Sequence, residues 1–180
     1  MPRDRESRGI QTRGLPRLVI ASGMTGTGVT LVTEALQDAL PEARIVDAGA
    51  QWADIAEACA PGFALLVIVT THDPIAVTAT YALVKVVRDR RPDARIEILV
   101  NRSEERDALR TYERVQVAAS HFLGETVGYA GAVPEAESDG HALDPAGATM
   151  EALRALAARL EGELDQIAGR TTLRPIGRRR

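Results

Sequence analysis

Near the start of the chain, Gly23-Met24-Thr25-Gly26-Thr27-Gly28-Val29-Thr30 gathers residue types suited to holding an anion. Glycines let the backbone curl until its N–H groups point inward. A helix N-terminus behind such a curl adds positive potential, and the two together form a phosphate cradle. The spacing follows the phosphate loop G-x-x-x-x-G-K-[ST]. Gly23 and Gly28 stand at the two glycines, and Thr30 stands at the hydroxyl residue whose oxygen would hold magnesium. The lysine position holds Val29, so the point charge that would meet the β- and γ-phosphates is missing. The bland alternative is a tight strand-to-helix turn that binds nothing.

Other chemistry-bearing residues are scattered. Asp47 closes a short apolar run, where a carboxylate could hold a magnesium-bound water; the alternative is an aspartate that caps the next turn. His72 and Asp73 follow the most apolar run of the chain, with no second histidine or cysteine near them to complete a metal site. His121 and His141 lack partners in the same way, and no Ser-His-Asp or Cys-His set can be assembled from spacing. Cys59 reads as a small apolar residue. Glu104-Glu105 and Glu135 with Glu137 read as solvated surface.

The elements that must position the loop follow from apolar periodicity. Strands are predicted over 18–21, 44–46, 65–69, 96–100 and 127–131. Helices are predicted over 30–40, 52–60, 74–90, 104–122 and 146–167, most of them bounded by Pro or Gly. Alternation of this kind implies right-handed crossovers. The expected fold is therefore α/β and three-layered, a mainly parallel sheet covered by helices on both faces. The last helix carries Met150, Leu153, Leu156, Leu160, Leu164 and Ile167 on one stripe, with mixed charge and no large aromatic opposite. Such a helix packs on a core rather than lying on a membrane. Residues 1–16 read as a disordered arm, 17–168 as the domain and 169–180 as a loose basic tail.

The 180 residues, 45% hydrophobic and 26% charged, suit one ordinary globular domain. No apolar run reaches the roughly 18 residues that a membrane span needs, and the polar N-terminus is not a secretory signal. One cysteine excludes an internal disulfide and suits a reducing cytoplasm, the expected location. A net charge of −3 gives no general reason to bind nucleic acid, so no specific nucleic-acid partner is expected. Lys85 is the single lysine among 22 basic residues. A lysine lost by drift in this chain would thus be expected to reappear as arginine.

The segment LVIASGMTGTGVT, 18–30, resembles the opening of the MinD/ParA-type deviant phosphate-loop ATPases, whose loop reads K-G-G-V-G-K-[ST] after a strand. Met24 falls at that family's signature lysine and Val29 at its phosphate-loop lysine; Gly26, Gly28 and Thr30 match, and Thr25 replaces a glycine. IVDAGAQ, 45–51, is similar to the switch segment D-x-G-A-G, and LVNR, 99–102, to V-V-N-R, whose asparagine contacts adenine. VTTHDPIAVTATYALVK, TYERVQVAASHFLG and GAVP resemble the branch that regulates flagellar number, the FlhG or FleN type. His72 replaces a proline of that branch.

The resemblance implies a nucleotide site made of Gly23, Thr25, Gly26, Thr27, Gly28, Val29, Thr30, Asn101 and Arg102, with Thr30 and Asp47 toward magnesium. The departures bear on what that site does. Both functional lysines are absent. The span from Thr30 to Asp47 is also too short for the strand and helix that the family inserts there, which carry its first switch and a water-positioning aspartate. A direct crossover should then join the strand before the loop to the strand at 44–46, its neighbour. The function expected is a regulator without catalytic residues, acting by contact with protein partners such as flagellar or polar-landmark proteins. No cofactor is required, and weak binding of ATP or ADP with magnesium is what the remaining backbone allows. The alternative is an ATP-binding switch with an atypical loop. A small kinase or transferase is the weakest idea, since no acceptor site is identifiable. The tail arginines Arg170, Arg174, Arg178, Arg179 and Arg180 could touch anionic lipid weakly.

Overall fold

The structure, a computed structural model, describes residues 17–59, 63–135 and 147–172. Five strands and five helices alternate: β1 (Arg17–Ala21), α1 (Val29–Ala39), β2 (Arg44–Asp47), α2 (Trp52–Ala58), β3 (Phe63–Thr70), α3 (Pro74–Arg90), β4 (Ile96–Asn101), α4 (Glu105–Leu123), β5 (Gly128–Val133) and α5 (Ala148–Thr172). The strands form one sheet in the order β2-β1-β3-β4-β5, and every pairing is parallel.

Parallel strands must be buried on both faces, because helical crossovers return over them. β4 satisfies this along its whole length, and Leu65 to Val69 of β3 are fully buried. One face is closed by α2, α3 and α4 through Ile55, Leu83, Val84, Val115 and Ala119. The other is closed by α1 and α5 through Val32, Leu36, Leu153, Leu156, Leu160 and Leu164. The stripe expected on α5 is thus a core stripe. Each buried Leu or Val of this kind contributes on the order of 2 kcal/mol through apolar area removed from water.

The strand order has one functional consequence. The chain steps from β1 outward to β2, then returns across β1 to β3, so the direction of winding reverses between β1 and β3. In open parallel sheets ligands bind outside the carboxyl ends of the strands at such a reversal. The turn between β1 and α1 leaves the sheet there. As expected, β1 lies beside β2, with Leu18 opposite Ile45 and Val19 opposite Val46, joined by α1 alone.

Most element boundaries shift by one or more residues from the sequence reading, the ends of β5, α2 and α5 among them. β5 runs to Val133 instead of ending at Gly131, because a bulge intervenes: Tyr129 pairs with Ile98 and Gly131 with Leu99, leaving Ala130 extra. Gly131 has φ +133°, which glycine alone adopts freely, and the strand continues past it. α2 ends at Ala58, two residues early. α5 ends at Thr172, inside the stretch read as tail, since no proline interrupts it before Pro175. The arm at 1–16, the loop containing His141 and residues 173–180 lie outside the described residues.

Candidate phosphate-binding site

The loop is held in shape by backbone and short side chains. Ser22 N–H donates to the Gly49 carbonyl at 2.8 Å, and Ala48 N–H donates to the Ile20 carbonyl at 2.8 Å, so the exits of β1 and β2 are stitched together. Ser22 Oγ donates to the Met24 carbonyl at 2.6 Å, tightening the first bend. Gly23 lies against α3 so closely that a Cβ there would sit 2.4 Å from the Ala79 carbonyl carbon. Gly26 and Gly28 take φ of +82° and +89°, the left-handed backbone that makes the curl.

Gly28 is the N-cap of α1, with no side chain capping the first turn and no acid in it. The leading N–H groups of an α-helix have no intrahelical acceptor, and here no side chain supplies one. Thr27, 3% exposed, keeps its hydroxyl buried beneath the turn without a hydrogen-bond partner. Donors with no acceptor at a helix N-terminus fit a phosphate. Thr25, Gly26 and Thr30 are exposed at the same turn.

The remaining predicted residues divide. Val29 is buried among Leu18, Ile20, Val32 and Leu36, so the position of the missing lysine is part of the core. Asp47 is exposed, and its Oδ1 accepts the Gly49 N–H at 2.8 Å; the capping role considered for it is realised, with one oxygen committed. Asn101 is 2% exposed and inserted under the loop: Nδ2 donates to the Thr27 carbonyl at 2.8 Å, and Oδ1 accepts the Arg102 N–H at 3.0 Å. Arg102 has φ +56°, the single positive value at a non-glycine residue among those described. It lines both a cavity of about 280 Å³, with Gly28, Leu31, Asn101, Pro134 and Thr149, and an adjoining groove of about 470 Å³ that includes His72, Arg110 and Arg114. His72 is exposed, and among the described residues no cluster of His, Cys, Asp or Glu could hold a metal.

Tested against a magnesium nucleotide, the residues give a mixed answer. The backbone cradle suits phosphate. Its cationic partner is replaced by a core valine, and the side chains suited to magnesium are one exposed threonine and one partly committed aspartate.

Sequence reasoning missed two features. Gly23 was placed as a loop glycine, yet its requirement is contact with α3. Glu97 was absorbed into a strand, although an acid within an apolar run signals buried pairing. Glu97, 3% exposed, pairs with Arg159 of α5, while Glu163 of α5 meets Arg159 at 2.9 Å and Arg95 at 3.0 Å. Burial, reinforced by Glu163, holds the Glu97 carboxyl above the usual carboxylate range despite Arg159.

The parallel sheet and the glycine turn together give a phosphate-loop NTPase-like α/β fold. Solved structures of a MinD protein and of a partition protein are among those similar to it. MinD cell division protein of Aquifex aeolicus is similar over 82% of this chain and 97% of its own, at 14% identity and a TM-score of 0.62. The MinC:MinD complex of the same organism matches over 92% and 99%, at 13% identity and a TM-score of 0.64. A protein described as a plasmid partition protein of Borrelia burgdorferi, bound to AMPPNP, matches over 87% and 98%, at 9% identity and a TM-score of 0.52. No family model and no curated protein matches the sequence. Identities this low establish a shared fold.

Proposed function

We propose that this chain is a non-hydrolysing regulator on a MinD/ParA-like scaffold, acting by protein–protein contact. The observation that carries this reading is Val29: the residue at the loop's lysine position is 8% exposed and packed into the core. Phosphoryl transfer relies on charge already in place around the phosphates, and one such group is worth ~3–4 kcal/mol. With Met24 at the second lysine position and only α1 between β1 and β2, three contributions are missing together.

The contact surface is α4. Leu109, Val117 and Phe122, three of the four large apolar side chains exposed among the described residues, project from it. Val117 and Phe122 border a cavity of about 660 Å³ rimmed by Arg110 and Arg114. Exposed aromatic side chains and arginines are enriched where proteins recognise one another, and here Phe122 lies beside Arg110 and Arg114. One solved neighbour is MinD assembled with MinC, which supports protein partnership as a use of this fold. The similarity to flagellar-number regulators suggests flagellar or polar-landmark proteins as partners, and the cytoplasm as location.

A second reading, an ATP-dependent switch, is favoured by the glycine turn and the uncapped first turn of α1. Sedimentation velocity with and without ATP-Mg separates the two. The regulator reading predicts one unchanged species, since Met24 has no charge to reach a partner's phosphates. An ATP-dependent step from monomer to dimer would contradict it. A pull-down from native cells with wild-type and Phe122→Ser bait then tests α4, a loss of captured partner being the expected result.

A further inference from the structure

We propose that the gap between α2 and α3 binds a small carboxylate with an apolar tail, of the medium-chain fatty acid class, its tail beside Trp52 and its head group on Arg90. The gap shares no residue with the cavities at the phosphate loop, so the inference is independent of what that loop does.

A cavity of about 310 Å³ opens between the two helices. Ligand sites begin at about 300 Å³, and packed protein leaves few other voids of that size. Among the described residues, Trp52, Ile55, Ala56 and Cys59 line it from the side of α2, and Val86 and Val87 from α3. These walls are apolar, and the small side chains of Ala56 and Cys59 leave the space between them unfilled. Arg91 fixes the width of the gap. Its Nη1 donates to the Cys59 carbonyl at 2.9 Å, while Nε and Nη2 donate to the Asp93 carboxylate at 3.2 and 3.3 Å. The C-terminal ends of the two helices are thus tied, and an occupant gains apolar contact without first having to part them.

Arg90 supplies the polar end. Its guanidinium carbon lies 5.3 Å from the centroid of the Trp52 ring, a cation–π placement. The neighbouring arginines have carboxylate partners: Arg88 meets Glu125, Arg91 meets Asp93 and Arg95 meets Glu163. Arg90 is exposed and lines the cavity, and among the described residues no carboxylate pairs with it. A guanidinium over a ring face still offers N–H donors in its own plane, the fork that matches a carboxylate. An apolar chamber beside an unpaired guanidinium complements an anion with an apolar tail. A neutral ligand would leave the charge unused, and a cationic one would meet repulsion from Arg90 and Arg91.

Trp52 is the single tryptophan of the chain, so its fluorescence reports on this cavity directly. The test titrates the full-length protein with hexanoate, octanoate, decanoate, decanol and decyltrimethylammonium, each below its micelle concentration, with calorimetry in parallel for stoichiometry. Decanoate should give a saturable change at one ligand per chain. Affinity should fall by about fourfold for each methylene removed from it. Decanol should bind about fivefold more weakly than decanoate, the scale of one exposed ion pair, and decyltrimethylammonium more weakly still. Arg90→Gln should bring decanoate to the level of decanol and leave decanol unchanged. Ala56→Phe, which fills the cavity, should abolish saturable binding. Where that variant folds poorly, Arg90→Gln at its exposed position and the chain-length series still decide. No saturable change with decanoate would overturn the proposal. So would equal binding of decanoate and decanol in wild type, a flat chain-length series, or undiminished binding in folded Ala56→Phe.

Discussion

Gly23 and Gly26 are both loop glycines, and they are needed for different reasons. A Cβ on Gly23 would lie 2.4 Å from the backbone carbonyl of Ala79 and 2.7 Å from the Thr80 nitrogen, atoms that cannot rotate away. A Cβ on Gly26 meets nothing within 4 Å, and the cost there is φ +82° alone. Gly26→Ala should therefore destabilise by about 1 kcal/mol, and Gly23→Ala by about 2–3 kcal/mol, because the loop must lift from α3. Urea denaturation of the two variants checks the ranking, and equal costs would contradict it. Cys59 gives a second test at this scale. Burial pushes its thiol up to about 11, with Arg91 opposing. The thiolate is the reactive form, so alkylation at about pH 8 should be on the order of a hundredfold slower than in the urea-unfolded chain.

At the scale of elements, apolar periodicity with Pro and Gly punctuation located every strand and helix. α3 was legible to the residue because Asp73 caps it, Pro74 opens it and Pro92 follows it. The end of β5 was not, since a bulge at Ala130 and Gly131 depends on pairing with β4, which no local pattern reveals. The candidate site was legible as a list and not as an arrangement. Its glycines announce a turn by residue type, whereas the bond from Asn101 to the Thr27 carbonyl depends on β4 ending beneath the loop. The same limit hid Glu97, whose partners Arg159 and Glu163 arrive from α5.

That network makes a pH prediction with a definite sign. The Glu97 carboxyl is raised in the folded state, first by burial, then by Glu163, against Arg159. Its protonation therefore adds stability that is fully present below the unfolded carboxylate value and is lost as pH rises through the folded value. Glu97→Gln is neutral throughout and lacks this change. The stability of wild type relative to Glu97→Gln should fall as pH rises from the ordinary glutamate value of about 4 through the raised folded value, as read from urea midpoints. A relative gain by wild type over that range would show that Arg159 outweighs burial. Leu160→Ala tests the placement of α5: Leu160 is fully buried, and its truncation should cost about 2–5 kcal/mol, whereas a helix made for a membrane surface would lose little.

At the scale of the whole molecule, a phosphate-loop-like fold carries Val29 and Met24 where the resemblance places lysines, and the contact surface proposed for it is α4. Among the described residues no helix is long and apolar enough to cross a membrane. The direct β1–α1–β2 crossover leaves β2 paired in parallel with β1 at the edge of the sheet. The central claim is that this fold persists for binding and not for turnover. The most direct measurement is phosphate release from ATP and from GTP at saturating nucleotide and magnesium, with Thr30→Ala and Asp47→Ala as controls. The account predicts release at background in wild type and in both variants. Turnover in wild type that disappears in either variant would contradict it.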